Sequence, residues 1–190
     1  MPTDPFAHDR YTIRRKLLKL FGAGFYVLDV RGDVVAYSEQ RAFRLKEDIR
    51  VFAGEAQSEP LLRIRARQVI DFAACYDVVD ERDGRVVGAA RRRGLSSIVR
   101  DSWELLDAEG GLVARLQEDS LGMALLRRLL VNLVPQRFTL GEGPGAVQLT
   151  QRFNPFVYKL EVAIPSSSTI DRRLVLALAI LIAAIEGRQD

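Results

Sequence analysis

The run Leu174-Val-Leu-Ala-Leu-Ala-Ile-Leu-Ile-Ala-Ala-Ile185 decides how this chain folds. Twelve residues pass without a polar side chain, between Asp171-Arg172-Arg173 and Glu186-Gly187-Arg188. Leu and Ala are strong helix formers, and Thr169 or Asp171 can cap the start by offering a side-chain oxygen to a free amide of the first turn. At about 1.5 Å per residue the run spans roughly 18 Å, well short of the ~30 Å hydrocarbon core of a bilayer. A helix that is apolar on every side must be covered on every side. Each large aliphatic in it gains about 1.5–3 kcal/mol on burial, so the helix is expected to form the core itself.

Outward from that run, most of the chain reads as strand. Phe25–Val30 and Val34–Tyr37 flank Arg31-Gly32-Asp33, a hairpin with Gly at its tip. The tripeptide also matches an adhesion motif, but in a chain without an export signal the turn reading is preferred. Short strands are expected at Phe43–Leu45 and Ile49–Phe52. Leu62-Arg-Ile-Arg-Ala-Arg67 alternates strictly, with Leu62, Ile64 and Ala66 inward and Arg63, Arg65 and Arg67 outward. Phe72–Asp80 and Arg85–Arg92 surround a second Gly-tipped turn, and Ile98–Leu106 and Leu112–Gln117 surround a third.

The pattern then switches. Ser120 can cap a short amphipathic helix striped by Leu125, Leu126, Leu129, Leu130 and Leu133, which Pro135 ends. Strands at Arg137–Leu140, Ala146–Gln151 and Val157–Ile164 bring the total to about a dozen. Arg10–Phe21 fits two patterns, a basic amphipathic helix or a strand with Tyr11, Ile13 and Leu17 inward. Many short strands at even spacing are the signature of a barrel or sandwich. The expectation is therefore a mainly β (α+β) fold: a closed, roughly twelve-stranded antiparallel barrel enclosing the C-terminal helix, plus the short amphipathic one. Residues 1–9 carry two prolines and read as a loose arm, and residues 10–190 as a single domain.

The order of motifs carries a resemblance. Tyr11-Thr-Ile-Arg14 is followed by Tyr26-Val-Leu-Asp-Val30 and Val35-Ala-Tyr37. Then come Asp71-Phe-Ala-Ala-Cys-Tyr-Asp-Val-Val79, Asp101-Ser-Trp-Glu104, a Leu/Arg-rich helical stretch and the apolar helix. Over residues 10–187 this resembles the LURP-one-related family, which is similar to phospholipid scramblases and to the C-terminal domain of tubby proteins. The resemblance implies a twelve-stranded barrel threaded by its last helix, and turns Arg10–Phe21 toward a strand. Tubby-like domains are known for phosphoinositide binding and scramblases for calcium-dependent lipid movement. The chain departs from scramblases in lacking an acidic calcium segment, a Cys-rich acylation tract and a spanning helix, which argues against lipid scrambling.

Composition narrows function further. Lys+Arg 28 against Asp+Glu 25 gives a net charge of only +3, too mild to imply a nucleic-acid partner from totals. Cys75 is the single cysteine, which rules out an intrachain disulfide and fits a reducing compartment. With no basic-then-apolar leader at Met1, the reading is a cytoplasmic protein, peripheral at a membrane if it meets one, and not membrane-spanning. One histidine, His8, in the arm leaves no Ser-His or Cys-His pair within the domain, so no catalytic residue is assigned and the protein is read as no enzyme.

One His and one Cys do not make a zinc site, and the carboxylates Asp77, Asp80, Glu81 and Asp83 lack the spacing of a calcium loop. Gly141-Glu-Gly-Pro-Gly145 is no phosphate cradle, since Pro lacks an amide and no Gly-Lys-Ser/Thr follows. No cofactor and no metal are expected. What remains are two basic sets, Arg63, Arg65 and Arg67 on one strand and Arg91, Arg92 and Arg93 at the end of another.

Arginine's planar fork suits phosphate, so an anionic phospholipid surface or a phosphorylated small ligand is the first partner expected. The competing readings are a solvated outer face with intervening carboxylates, and a soluble scaffold that works through a protein partner. Nucleic acid fits less well, because aromatic side chains do not interleave with the arginines.

Overall fold

In the computed structural model the residues described are 4–16, 23–40, 48–67, 74–93, 102–118, 136–152 and 157–186. Twelve strands and one helix occupy them: β1 (Arg10–Arg15), β2 (Ala23–Leu28), β3 (Val34–Gln40), β4 (Asp48–Phe52), β5 (Pro60–Ala66), β6 (Cys75–Asp80), β7 (Arg85–Arg93), β8 (Ser102–Leu106), β9 (Leu112–Glu118), β10 (Gln136–Leu140), β11 (Val147–Arg152), β12 (Lys159–Ala163) and α1 (Arg172–Glu186). Each strand pairs antiparallel with its neighbours in sequence, and β1 pairs with β12, so the sheet closes into a barrel without edges. The expected strand at Phe43–Leu45 and the amphipathic helix from Ser120 to Pro135 lie outside the described residues.

Alternation along the strands sorts side chains between lining and wall. On β5, Leu62 and Ile64 are buried in the core while Arg65 is exposed on the opposite face. Inward positions such as Ile13, Val27, Val78, Leu105, Leu149 and Val162 join α1 in one apolar cluster. From Leu174 to Ala184 no residue of α1 is more than 2% exposed. Eleven successive residues make three full turns, so every side of the helix is covered, as an all-apolar helix requires. Its cap is Asp171, whose Oδ1 accepts the Arg173 N–H at 2.9 Å, which decides between the two candidates read from sequence.

The helix passes close to the wall at Gly88 on β7. A Cβ there would stand 2.1 Å from the Leu106 carbonyl oxygen and 3.2 Å from Leu174 Cδ1. The φ of +154° is also one that side-chain-bearing residues rarely adopt.

Two N-terminal readings resolve against local pattern. Arg10–Arg15 is strand and not amphipathic helix, because both its edges are taken by β2 and β12. Arg14, one of the basic side chains that fit a helical face, is exposed on the outward half of a strand whose Tyr11 and Ile13 are buried. Residues 4–9 are not a loose arm with nothing to bury. Phe6 belongs to the core, with the Arg82 guanidinium 4.9 Å from its ring centroid.

Hydrogen bonds to its backbone fasten the same segment: the Tyr11 hydroxyl donates to the Pro5 carbonyl at 3.1 Å, and the Ile164 N–H to the Asp9 carbonyl at 2.8 Å. Arg172, at the first turn of α1, donates to the His8 carbonyl and to Asp9 Oδ1. Beside it Asp80, 2% exposed, accepts from Arg82 at 2.6 Å and from Arg173 at 3.0 Å. The N-terminal segment, the β6–β7 turn and the start of α1 are thus tied together over one end of the barrel.

Candidate functional site

Five of the six arginines picked out in the sequence lie on the outer wall, on or beside β5 and β7 with β6 between them. Register sets a cross-strand row: the Arg67 N–H donates to the Cys75 carbonyl at 2.8 Å, Cys75 pairs with Arg91, Arg91 with Glu104, and Glu104 with Arg115. Side chains directly opposite one another on adjacent strands lie about 4.5–5.5 Å apart at Cβ, so such a row acts electrostatically as a unit. Only β6 separates the β5 set from the β7 set.

The two sets differ in how they are neutralised. On β5, Arg63 makes a two-pronged bond to Asp48, with Nε 3.0 Å and a terminal nitrogen 2.9 Å from its oxygens. Arg67 donates to Asp77 at 2.6 Å. Arg65 is exposed between them, opposite Asp48 on one side and Asp77 on the other in register. The intervening carboxylates expected of a solvated face are therefore present on this half of the wall.

The β7 set is organised differently. Glu104, on β8, is only 2% exposed although its carboxylate faces the outer wall. Arg91 reaches it with two nitrogens at 3.0 and 2.6 Å, Arg115 from β9 at 3.2 Å, and Arg93 at 3.4 Å. Burial works to raise the Glu104 carboxyl, but the bonds and charge of Arg91, joined by Arg115 and Arg93, outweigh it and hold the group ionised. Three guanidiniums face one carboxylate, two charges more than it can balance. All three are substantially exposed, at 43%, 62% and 56% for Arg91, Arg93 and Arg115, so their remaining donors are open to solvent or ligand.

Arg92 stands apart. It pairs in register with Trp103, whose ring is buried in the core, so alternation places it on the other side of β7 from Arg91 and Arg93. Nothing in the sequence alone points to Glu104 or Arg115. Neither stands out along the chain, since one is a lone acid beside Trp103 and the other a lone base in an alternating strand. Only the β7–β8–β9 register brings them together.

No family model, curated protein or solved structure matches the chain. What the wall can bind must therefore be read from its own chemistry.

Other candidate residues are engaged elsewhere. The carboxylates near the β6–β7 turn are drawn to arginines: Asp77 to Arg67, Asp80 to Arg82 and Arg173, Asp83 to Arg85. Among the described residues no group of three potential metal ligands comes together. Cys75 is half-buried, and burial raises its thiol against the opposing charges of Arg67 and Arg91, so it is not an activated thiolate. His8 packs edge-on against Tyr11, its ring centroid 5.8 Å away. No helix of the described residues is long and apolar enough to cross a membrane.

Proposed function

We propose that this barrel is a non-enzymatic binding protein that takes phosphate-bearing anions on its outer wall through Arg91, Arg93 and Arg115. The observation that carries the reading is the charge imbalance at Glu104. One buried carboxylate pre-positions three guanidiniums and leaves two positive charges and several fork donors for an external acceptor. Pre-positioning matters because a long side chain otherwise loses rotamer freedom on binding, about 0.5–1.5 kcal/mol each. Arg65, on β5 beyond β6, extends the attraction across the wall, while Arg63 is held by Asp48 and Arg67 by Asp77 and both contribute less. The setting proposed is peripheral, at the anionic cytoplasmic face of a membrane or with a soluble phosphorylated ligand. The sequence resemblance to tubby-like proteins points the same way.

The test is binding to phosphatidylcholine vesicles with and without phosphatidylserine, and to inositol hexakisphosphate as a soluble probe. Near an anionic surface each basic side chain is worth about 1 kcal/mol. Replacing Arg91, Arg93 and Arg115 together by Ser should then weaken binding roughly 100-fold, at 1.4 kcal/mol per tenfold. Added salt should weaken it too, since the groups are exposed. Charge-independent binding, or a triple variant that binds like the parent, overturns the reading and leaves the barrel as a platform for a protein partner.

A further inference from the structure

Along the β8–β9 hairpin the outer wall changes character in three steps. The first is the arginine cluster around Glu104, with two positive charges in excess. Next come Leu112 and Val113 on β9, 50% and 39% exposed. Leu112 pairs with Leu106, which lies two residues from Glu104 on β8, about 6.6 Å at 3.3 Å per residue. Leu106 itself is buried, so the exposed apolar surface here belongs to β9. Pairing slips at this point and makes Val113 the extra residue of a β-bulge, which re-aims its side chain.

The third step is the turn, with Asp107 and the exposed Glu109. Asp107 accepts the Gly111 N–H at 2.6 Å, and among the described residues no cation pairs with either carboxylate. The neighbouring β6–β7 turn differs, since Arg82 and Arg85 stand against its Asp80 and Asp83. Two unmatched positive charges thus lie on one side of an apolar patch and two unmatched carboxylates on the other. On β9 the spacing is even, for Arg115 and Glu109 each stand three residues from Leu112.

Such a strip is complementary to itself turned through half a circle. A two-fold axis at Leu112 sets apolar side chains against apolar side chains and brings the arginines of each copy to the turn of the other. Every contact then occurs twice, as in a symmetric dimer, with an apolar centre and a charged rim. A partner of one sign of charge satisfies half of the strip and is repelled by the other half.

We infer that this face binds a second copy of the chain, and that the dimer and a phosphate-bearing anion compete for Arg91, Arg93 and Arg115. The competition rests on the proposed function; the dimer does not. The patch is small, so the two copies part readily, and an anion seated on the arginines removes the pairs at the rim. Self-association keeps the arginines covered until an anion displaces the partner's turn.

Sedimentation velocity on the full chain tests this. The parent should dimerise at low salt and dissociate as salt is added. Glu109→Arg sets arginine against arginine, and Arg115→Glu sets carboxylate against carboxylate. Each alone should associate more than about tenfold more weakly. Mixed in equal amounts they should associate again, because both contacts of the mixed dimer then join opposite charges. Leu112→Ser should weaken the dimer too, while Val30→Ser, exposed at another turn, should leave it unchanged. Inositol hexakisphosphate should dissociate the parent dimer and bind Glu109→Arg at least as tightly as the parent. A parent that is monomeric at low salt, or Glu109→Arg and Leu112→Ser that dimerise like the parent, overturns the dimer and leaves the anion reading standing. A dimer that behaves as expected while its Glu109→Arg monomer binds no inositol hexakisphosphate overturns the proposed function and spares the dimer. A parent dimer that binds the probe without dissociating overturns the competition.

Discussion

At the scale of single residues, this protein buries carboxylates where arginines can reach them. Asp80 is held well below the usual carboxylate range, first by its bonds from Arg82 and then by Arg173, against the opposing effect of burial. Glu104 and Asp171 are lowered as well, burial being outweighed by Arg91 in the first and by Arg173 in the second. A carboxyl depressed in the folded state contributes stability that is complete above its unfolded value, about 3.9 for Asp and 4.3 for Glu, and lost as pH falls through the folded value. Urea midpoints should therefore stay level as pH drops from neutrality and fall steeply only below about pH 4.

Asp80→Asn should flatten that acid limb and cost about 2 kcal/mol at neutral pH, less than the ~3–5 kcal/mol of a fully buried pair, because both guanidiniums are partly exposed. A midpoint that declines between pH 7 and 5, or an unchanged variant, would assign the acid sensitivity to other groups. None of these clusters was legible along the chain. Asp80 meets Arg173 from α1, and Glu104 meets two arginines from β7 and one from β9, contacts that only helix packing in the first case and strand register in the second create.

At the scale of elements, the strands and the last helix could be read directly, because each carries a period that its surroundings then satisfy. Strict alternation on β5 and twelve consecutive apolar residues before Glu186 leave little choice of structure. Periodicity alone left two patterns open at Arg10–Arg15, where the resemblance turned the segment toward the strand it forms, and it gave no sign of Phe6, where one aromatic decided the matter. A lone Phe between prolines gives no periodic signal, yet once β1 closes the barrel its ring has a core to enter.

The fit of α1 inside the sheet gives a paired test. Leu174→Asp places a charge among apolar side chains with no partner, and should destabilise the fold by several kcal/mol. Gly88→Ala, on the facing strand, should do comparable damage from outside the helix, since its new methyl meets the Leu106 carbonyl. Chemical denaturation of both variants checks this, and parent-like melting of either would contradict the close approach.

At the scale of the whole molecule, barrel and helix form one cooperative unit, because neither has a core without the other. The strands line α1 from β5, β6, β7, β12 and β1. Trp103, the chain's single tryptophan, sits in the same cluster with Tyr76. Tryptophan fluorescence and far-ultraviolet ellipticity should therefore lose signal at one shared urea midpoint. Two separated transitions would mean that the sheet survives without its filling.

Because α1 follows all twelve strands in the chain, protein synthesis delivers the lining before it delivers what the lining must grip. At ~5–20 residues per second the ribosome takes about a second or more to add the fifteen residues of α1. During that interval the nascent sheet has sticky inner surfaces and no plug. The closing partners β1 and β12 also sit at opposite ends of the order of emergence, so the ring cannot seal early. Until α1 arrives, the newborn sheet offers the kind of apolar surface that chaperones shield.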